Sequence, residues 1–218
     1  DNLLQNGLIE AHHIMPLFPL ITAFLNTNLN IILFNISLSL INVVLIYKIS
    51  SLIFKNKNIS VIAAFIWSIY PFSIFYSISA LTETLFVSLV LGTFYFMYQK
   101  NTNIAFFLAV LSILLKPTLE LFFPFFIIFF SHFIYKNNFK NTSILLIKYL
   151  LIYLLVMSFW WIHQYNKYGE LVRLNLGDGI VWYSGNNALN TSGGGVHDPL
   201  KGKDMEMRQF YEAYSNPI

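Results

Sequence analysis

The chain has 218 residues, 56% hydrophobic, 18% aromatic and only 11% charged, with a mean hydropathy of +0.61; soluble domains carry about 25% charged residues. So much apolar side chain, 22 Phe and 13 Tyr included, exceeds what one buried core takes in, and the excess has to face lipid. The net charge of +3 is small and scattered, which sets aside a nucleic-acid partner, and the lack of cysteine excludes disulfides, thiolate metal sites and thiol nucleophiles.

The sequence opens on Asp1-Asn2-Leu3-Leu4 without an initiator Met or a signal-like segment and stops at Asn216-Pro217-Ile218, so it reads as an internal stretch of a longer chain. After His12-His13, the segment Pro16-Leu17-Phe18-Pro19-Leu20 is too short to span a bilayer and suits an interfacial helix. Six apolar runs follow, at 29–47, 59–76, 82–98, 103–115, 118–134 and 144–162, against the roughly 20 helical residues that cross about 30 Å of hydrocarbon. The fourth is short, and Pro71 and Pro124 interrupt the second and fifth. From Gln164 onward glycines sit among Asn, Asp and Tyr, which predicts turns and short strands, with a surface helix over 204–214. The expected organisation is an all-α integral membrane module of about six transmembrane helices over 1–163, then the beginning of an external α/β or mixed soluble region over 164–218.

Lysines orient the runs, because short cytoplasmic connections collect basic residues. Lys48, Lys55, Lys57, Lys100, Lys136, Lys140 and Lys148 all fall on one side if the runs alternate. That side is expected to be cytoplasmic, in a cytoplasmic (inner) membrane. His12, His13, Glu83, Lys116 and both chain ends then lie on the external or periplasmic side.

An ionisable side chain in a span costs about 2.5–3.5 kcal/mol on the insertion scale, so each one needs a reason. Glu83 stands at the start of the third run, where it suits a base or a cation ligand, or a carboxylate satisfied by the helix N-terminus beside Thr82. Lys116 suits a phosphate contact, or snorkelling, or an ion pair with Glu120 four positions on. His12 and His13 are adjacent and so point apart on a helix; phosphate or sugar contact suits them better than a metal, and ordinary interfacial polarity better still. Trp160-Trp161 and Trp67 with Tyr70 read first as interfacial belt residues and second as sugar-stacking platforms. The stretch from Asn175 to Asn187, with Asn186 and Asn187 at its end, mixes amides, glycines and aromatics in a way that suits hydroxyl-rich ligands.

Taken in order, several phrases resemble one family. Asn2-Leu3-Leu4 with Gly7, the Pro16 to Leu20 segment, Ser79-Ala80-Leu81-Thr82-Glu83-Thr84-Leu85-Phe86 and Lys116-Pro117-Thr118 are similar to the multi-spanning GT-C glycosyltransferases. Trp160-Trp161-Ile162-His163-Gln164-Tyr165, Gly169, Gly185-Asn186-Asn187 and Gly193-Gly194 resemble the bacterial branch related to protein O-mannosyltransferases and aminoarabinose transferases. The resemblance implies transfer of a sugar from a polyprenyl-phosphate donor to a protein, lipid or glycan acceptor outside the membrane. It implies a principal catalytic acid before residue 1, Glu83 as the second acidic position, and lipid-phosphate or substrate contacts from His12, His13, Lys116, Asn186 and Asn187. A divalent metal ion is one option for the cation at the leaving phosphate. Two positions depart from the pattern: His163-Gln164 replaces Arg-Asn, and Lys116 stands where Arg is common, without its bidentate contact.

The reaction expected is attack of an acceptor hydroxyl or amine on the anomeric carbon, with a carboxylate taking the proton and a cation receiving the phosphate. The rival is a lipid-linked glycan flippase or other transporter, whose polar groups belong near the bilayer midplane. Their expected position at one mouth favours the enzyme.

Overall fold

A computed structural model describes residues 15–169, 171 and 173–175, and among these every regular element is helical. The chain divides into two units, residues 1–10 with 15–173 and residues 11–14 with 174–218; only Leu174 and Asn175 of the second are described. His12, His13, Asn186, Asn187 and the expected mixed external region lie outside the described residues.

The helices in chain order are α1 Leu17–Leu25, α2 Asn28–Phe54, α3 Lys57–Ile69, α4 Pro71–Ser77, α5 Glu83–Tyr98, α6 Thr102–Ile113, α7 Phe122–Phe129 and α8 Phe139–Tyr168. A 3-10 turn at Pro117–Leu119 precedes α7, and a π-turn at Phe130–Ile134 ends it. α2 and α8 are long and apolar enough to cross a membrane, and α3 with α4 makes a third crossing if the bent pair is one span. Their outward faces carry large apolar side chains such as Leu33, Phe65, Leu151, Leu155 and Phe159, all exposed. Such a surface is stable in lipid and not in water, and the chain is a membrane protein with two or three candidate crossings.

The other three of the six expected runs form helices shorter than a bilayer-crossing helix of about 20 residues. α5 has 16 residues and α6 has 12, about 24 and 18 Å of helix. The fifth run is divided between the 3-10 turn, α7 and the π-turn. Pro124 lies inside the first turn of α7, where a missing N–H costs nothing, so the break comes upstream of it. Pro71 does break the second run: it opens α4 after Tyr70, and the two helices meet at 58°. The interfacial segment is longer than expected, a nine-residue helix whose first N–H, that of Leu17, donates to the Leu114 carbonyl at 3.2 Å.

The turns at the lysine-rich end share a device. Lys55, Lys100 and Lys136 all adopt left-handed backbone, with φ of 51°, 58° and 55°, uncommon for a residue with a Cβ. Each is followed by Asn. Asn56 accepts from the Asn58 N–H at 2.9 Å to cap α3, and Asn138, one residue later in the third turn, accepts from the Asn141 N–H at 3.0 Å to cap α8. The third turn is also tied by Ser131, whose hydroxyl lies 2.9 Å from Thr142 Oγ1 and accepts from Asn137 Nδ2 at 3.0 Å.

α5 and α6 pack through small residues, as lipid-embedded helices do. Ser88, Gly92 and Thr93 on α5, and Ala105, Ala109 and Ser112 on α6, lie on the buried faces. A Cβ on Gly92 would stand 2.9 Å from Leu108 Cδ1. Because that methyl ends a flexible side chain, Gly92→Ala is expected to be nearly neutral, whereas Gly92→Val should cost about 1–3 kcal/mol from overpacking. Thermal unfolding of the two variants in detergent checks this; equal melting temperatures would show the helices are not in close contact.

Candidate functional site

Glu83 is the first residue of α5. Thr82, the residue before it, makes no side-chain cap to the helix, and its hydroxyl stands at a long 3.5 Å from Glu83 Oε2. The carboxylate instead accepts from Lys116 Nζ, at 2.7 Å from Oε1, with both side chains about one-third exposed. Lys116 follows the end of α6 in extended backbone before Pro117, the conformation a following proline favours, and its N–H donates to the Ser112 carbonyl at 2.8 Å. Its ammonium lies 5.8 Å from the centre of the Phe86 ring, within cation–π range. Below the pair Leu85, Leu89 and Leu115 form a buried cluster against Leu17, Phe18 and Ile21 of α1. The apolar helix termini thus hold the two charges together.

The pairing differs from the one that spacing allowed. Lys116 does not bond Glu120; Glu120 binds the Arg173 guanidinium and the Tyr153 hydroxyl. The hydrogen bond to Glu120 holds Arg173 above its ordinary pKa, and the Arg173 carbonyl accepts from Trp161 Nε1 at 2.8 Å. Arg173 was not singled out by any motif, being one basic residue in a glycine-rich stretch. Trp160 is not a belt residue: it is 4% exposed and stacks on His163 with ring centres 5.7 Å apart.

Two asparagines fix how deep the Glu83–Lys116 pair sits. Asn35 Nδ2 donates to the Ser79 and Leu81 carbonyls at 2.7 and 3.3 Å, and Asn42 Nδ2 donates to the Thr84 carbonyl at 3.3 Å. Both asparagines are buried. Asn42 is near the middle of α2, about 21 Å from its Asn28 end and about 18 Å from its Phe54 end. The start of α5 therefore lies beside the stretch of α2 between Asn35 and Asn42. The two asparagines carry a legible signal, amide side chains seven apart in a largely apolar run.

Glu83 lines a cavity of about 370 Å³ between α2, α3, α4 and α5. Asn42, Trp67, Tyr70, Phe72 and Ser73 also line it, and the bend at Tyr70 is what turns Phe72 and Ser73 into the wall. Trp67 and Tyr70, with ring centres 6.0 Å apart, thus face a cavity as well as an interface. Two buried polar atoms here, Asn42 Oδ1 and Trp67 Nε1, have no hydrogen-bond partner. A second cavity of about 300 Å³ is lined by Glu120, Tyr153, Trp161 and Arg173.

The charged pair is expected to act as a unit. In a double-mutant cycle of Glu83→Gln and Lys116→Met, the coupling should reach about 0.5–3 kcal/mol, each single change costing more than its share of the double. Denaturant unfolding of the four proteins measures it, and additive losses would show that the charges do not interact.

Among the described residues no three His, Cys, Asp or Glu side chains gather as ligands for one ion, and Glu83 is already held by a cation. These residues do not fit a metal centre, and no step below passes through one. No family model, curated protein or solved structure matches the chain.

Proposed function

We propose that this chain is part of a membrane glycosyltransferase that moves a sugar from a polyprenyl-phosphate donor to an acceptor on the external face of a cytoplasmic membrane, through six crossings. The observation that carries the reading is the Glu83 carboxylate on the wall of a cavity, 2.7 Å from Lys116, at the position the GT-C resemblance gives to a working acid. The lysine holds the carboxylate in place on the cavity wall, with its oxygens free to accept a proton from a neutral hydroxyl. The acceptor oxygen attacks the anomeric carbon, the bond from that carbon to the phosphate oxygen breaks, and the acceptor proton passes to Glu83. The phosphate leaves on its lipid with one more negative charge, and Lys116, relieved of its partner as Glu83 takes the proton, turns to it. One displacement inverts the sugar carbon. Protein in membranes, supplied with a radiolabelled polyprenyl-phosphate sugar and an acceptor extract, tests the reading: label covalently attached to the acceptor supports it, and intact donor throughout sinks it.

One observation favours a second reading, a flippase or other transporter. The Glu83–Lys116 pair lies opposite the middle of α2, the depth at which transporters bind cargo. In the same assay a transporter moves the labelled donor across the bilayer without cleaving it.

A further inference from the structure

We infer that an aromatic groove between α5 and α7 holds one chain of an anionic phospholipid, whose phosphate is bound by Lys100 and Lys136 at the lysine-rich end. The inference goes beyond the proposed function and stands without it, because the groove belongs to the last turns of α5, at the opposite end of that helix from Glu83.

The groove has a volume of about 400 Å³, and its walls are aromatic throughout. Phe94 and Tyr98 form the α5 side, and phenylalanines between positions 122 and 130 form the other. Phe126 and Phe130 are buried and make the floor, with ring centres 4.5 Å from Phe94 and 4.8 Å from Tyr98 respectively. Phe125 and Phe129 are exposed and stand at the rim. From Phe122 to Phe130 the groove runs about 12 Å along the helix axis, which suits a length of chain. Helices that pack in lipid approach through small residues, as α5 and α6 do at Gly92, Ala105 and Ala109. No residue lining the groove is small, so a helix from a second copy finds no seat for its backbone. A flexible alkyl chain follows the gaps between the rings and gains dispersion contact with them.

Charge at the end of the groove selects among lipids. Beyond Tyr98 the chain turns at Lys100, and beyond the π-turn it turns at Lys136, both residues exposed. Tyr135 ties the two turns to the groove. Its ring centre lies 5.3 Å from that of Phe130 and 6.0 Å from the Lys100 ammonium, and its hydroxyl donates to the Met97 carbonyl. Lys136 is the next residue in the chain. Among the described residues neither lysine makes a salt bridge, so both ammonium groups are available to an anion. Two cations at the end of an apolar groove match a phosphate that carries alkyl chains. A zwitterionic head brings its own cation and gains less from them.

The test is native mass spectrometry of the full-length protein in detergent, titrated with dioleoyl phosphatidylglycerol and with dioleoyl phosphatidylcholine, which share their chains and differ in net charge. One phosphatidylglycerol is expected to bind about fivefold or more tightly than phosphatidylcholine, the scale of one lysine at a charged lipid surface. Lys100→Gln with Lys136→Gln should erase that preference. If that protein does not fold, the asparagine pair replaces it, since asparagine is at ease in left-handed backbone. Lys57→Gln, which removes a charge at the start of α3, should keep the preference. Phe125→Ala with Phe129→Ala, both at the exposed rim, should weaken both lipids about threefold. Equal affinity of the wild type for the two lipids overturns the inference, as does a preference that survives the loss of both lysines. Displacement of phosphatidylglycerol by decaprenyl phosphate overturns it too, by making the groove a polyprenyl site, and so does a protein dimer that forms in place of the lipid adduct.

Discussion

Glu83→Gln in the full-length protein is expected to lower sugar transfer by about 10²–10⁴-fold, the usual contribution of a positioned general base. The amide keeps the size of the carboxylate and its place at the start of α5, so the loss should fall on the chemical step. Lys116 then loses the anion 2.7 Å away, and part of the effect passes through its position. Adding Lys116→Met to Glu83→Gln should restore stability without restoring transfer. Measuring both quantities on the same preparations separates a fallen fold from a missing base. Normal transfer by Glu83→Gln would remove Glu83 from the mechanism altogether.

Asn35→Leu is expected to destabilise the fold by about 2–5 kcal/mol, the largest single loss among the polar tethers. Asn35 is fully buried and donates to two carbonyls, those of Ser79 and Leu81, in the irregular segment between α4 and α5. Leucine fills the space but gives neither carbonyl a donor. The segment it releases leads directly into Glu83, so transfer should fall along with stability. Unfolding followed by tryptophan fluorescence checks this, and a loss below about 1 kcal/mol would mean the carbonyls find other partners.

Membrane character was legible in composition alone, because apolar side chains outnumber the places to bury them. Helix lengths were less legible. The runs at 82–98 and 103–115 read as spans by hydropathy, yet α5 begins at Glu83 and α6 ends at Ile113 just before Lys116, where the two charges meet, and hydropathy has no term for a tertiary ion pair. The lysines gave an orientation from their distribution, and their second role, left-handed turn residues each followed by Asn, was visible only as a repeated dipeptide. Glu83 and Lys116 were both found as isolated charges near apolar runs, but their partnership spans 33 residues and no local spacing rule reaches that far. Trp160 and Trp161 look identical in sequence, and one is buried against His163 while the other holds the Arg173 carbonyl. Which face of α8 turns inward decides that, and α8 is too uniformly apolar for its pattern to show it.

For Glu83 to act on an external acceptor, water has to reach its cavity from the face opposite the lysines. The chain has no cysteine, so a single introduced thiol reports on one position without interference. The decisive measurement is labelling of Ser39→Cys, Ser73→Cys and Leu155→Cys in sealed vesicles with a membrane-impermeant thiosulfonate, applied to each face in turn. Ser39 and Ser73 line the cavity, and Leu155 is exposed on the outer surface of α8. Labelling of the first two from the face opposite the lysines, with Leu155→Cys inert, is the predicted result. Unreactive cavity thiols, or labelling only from the lysine-rich face, would contradict it.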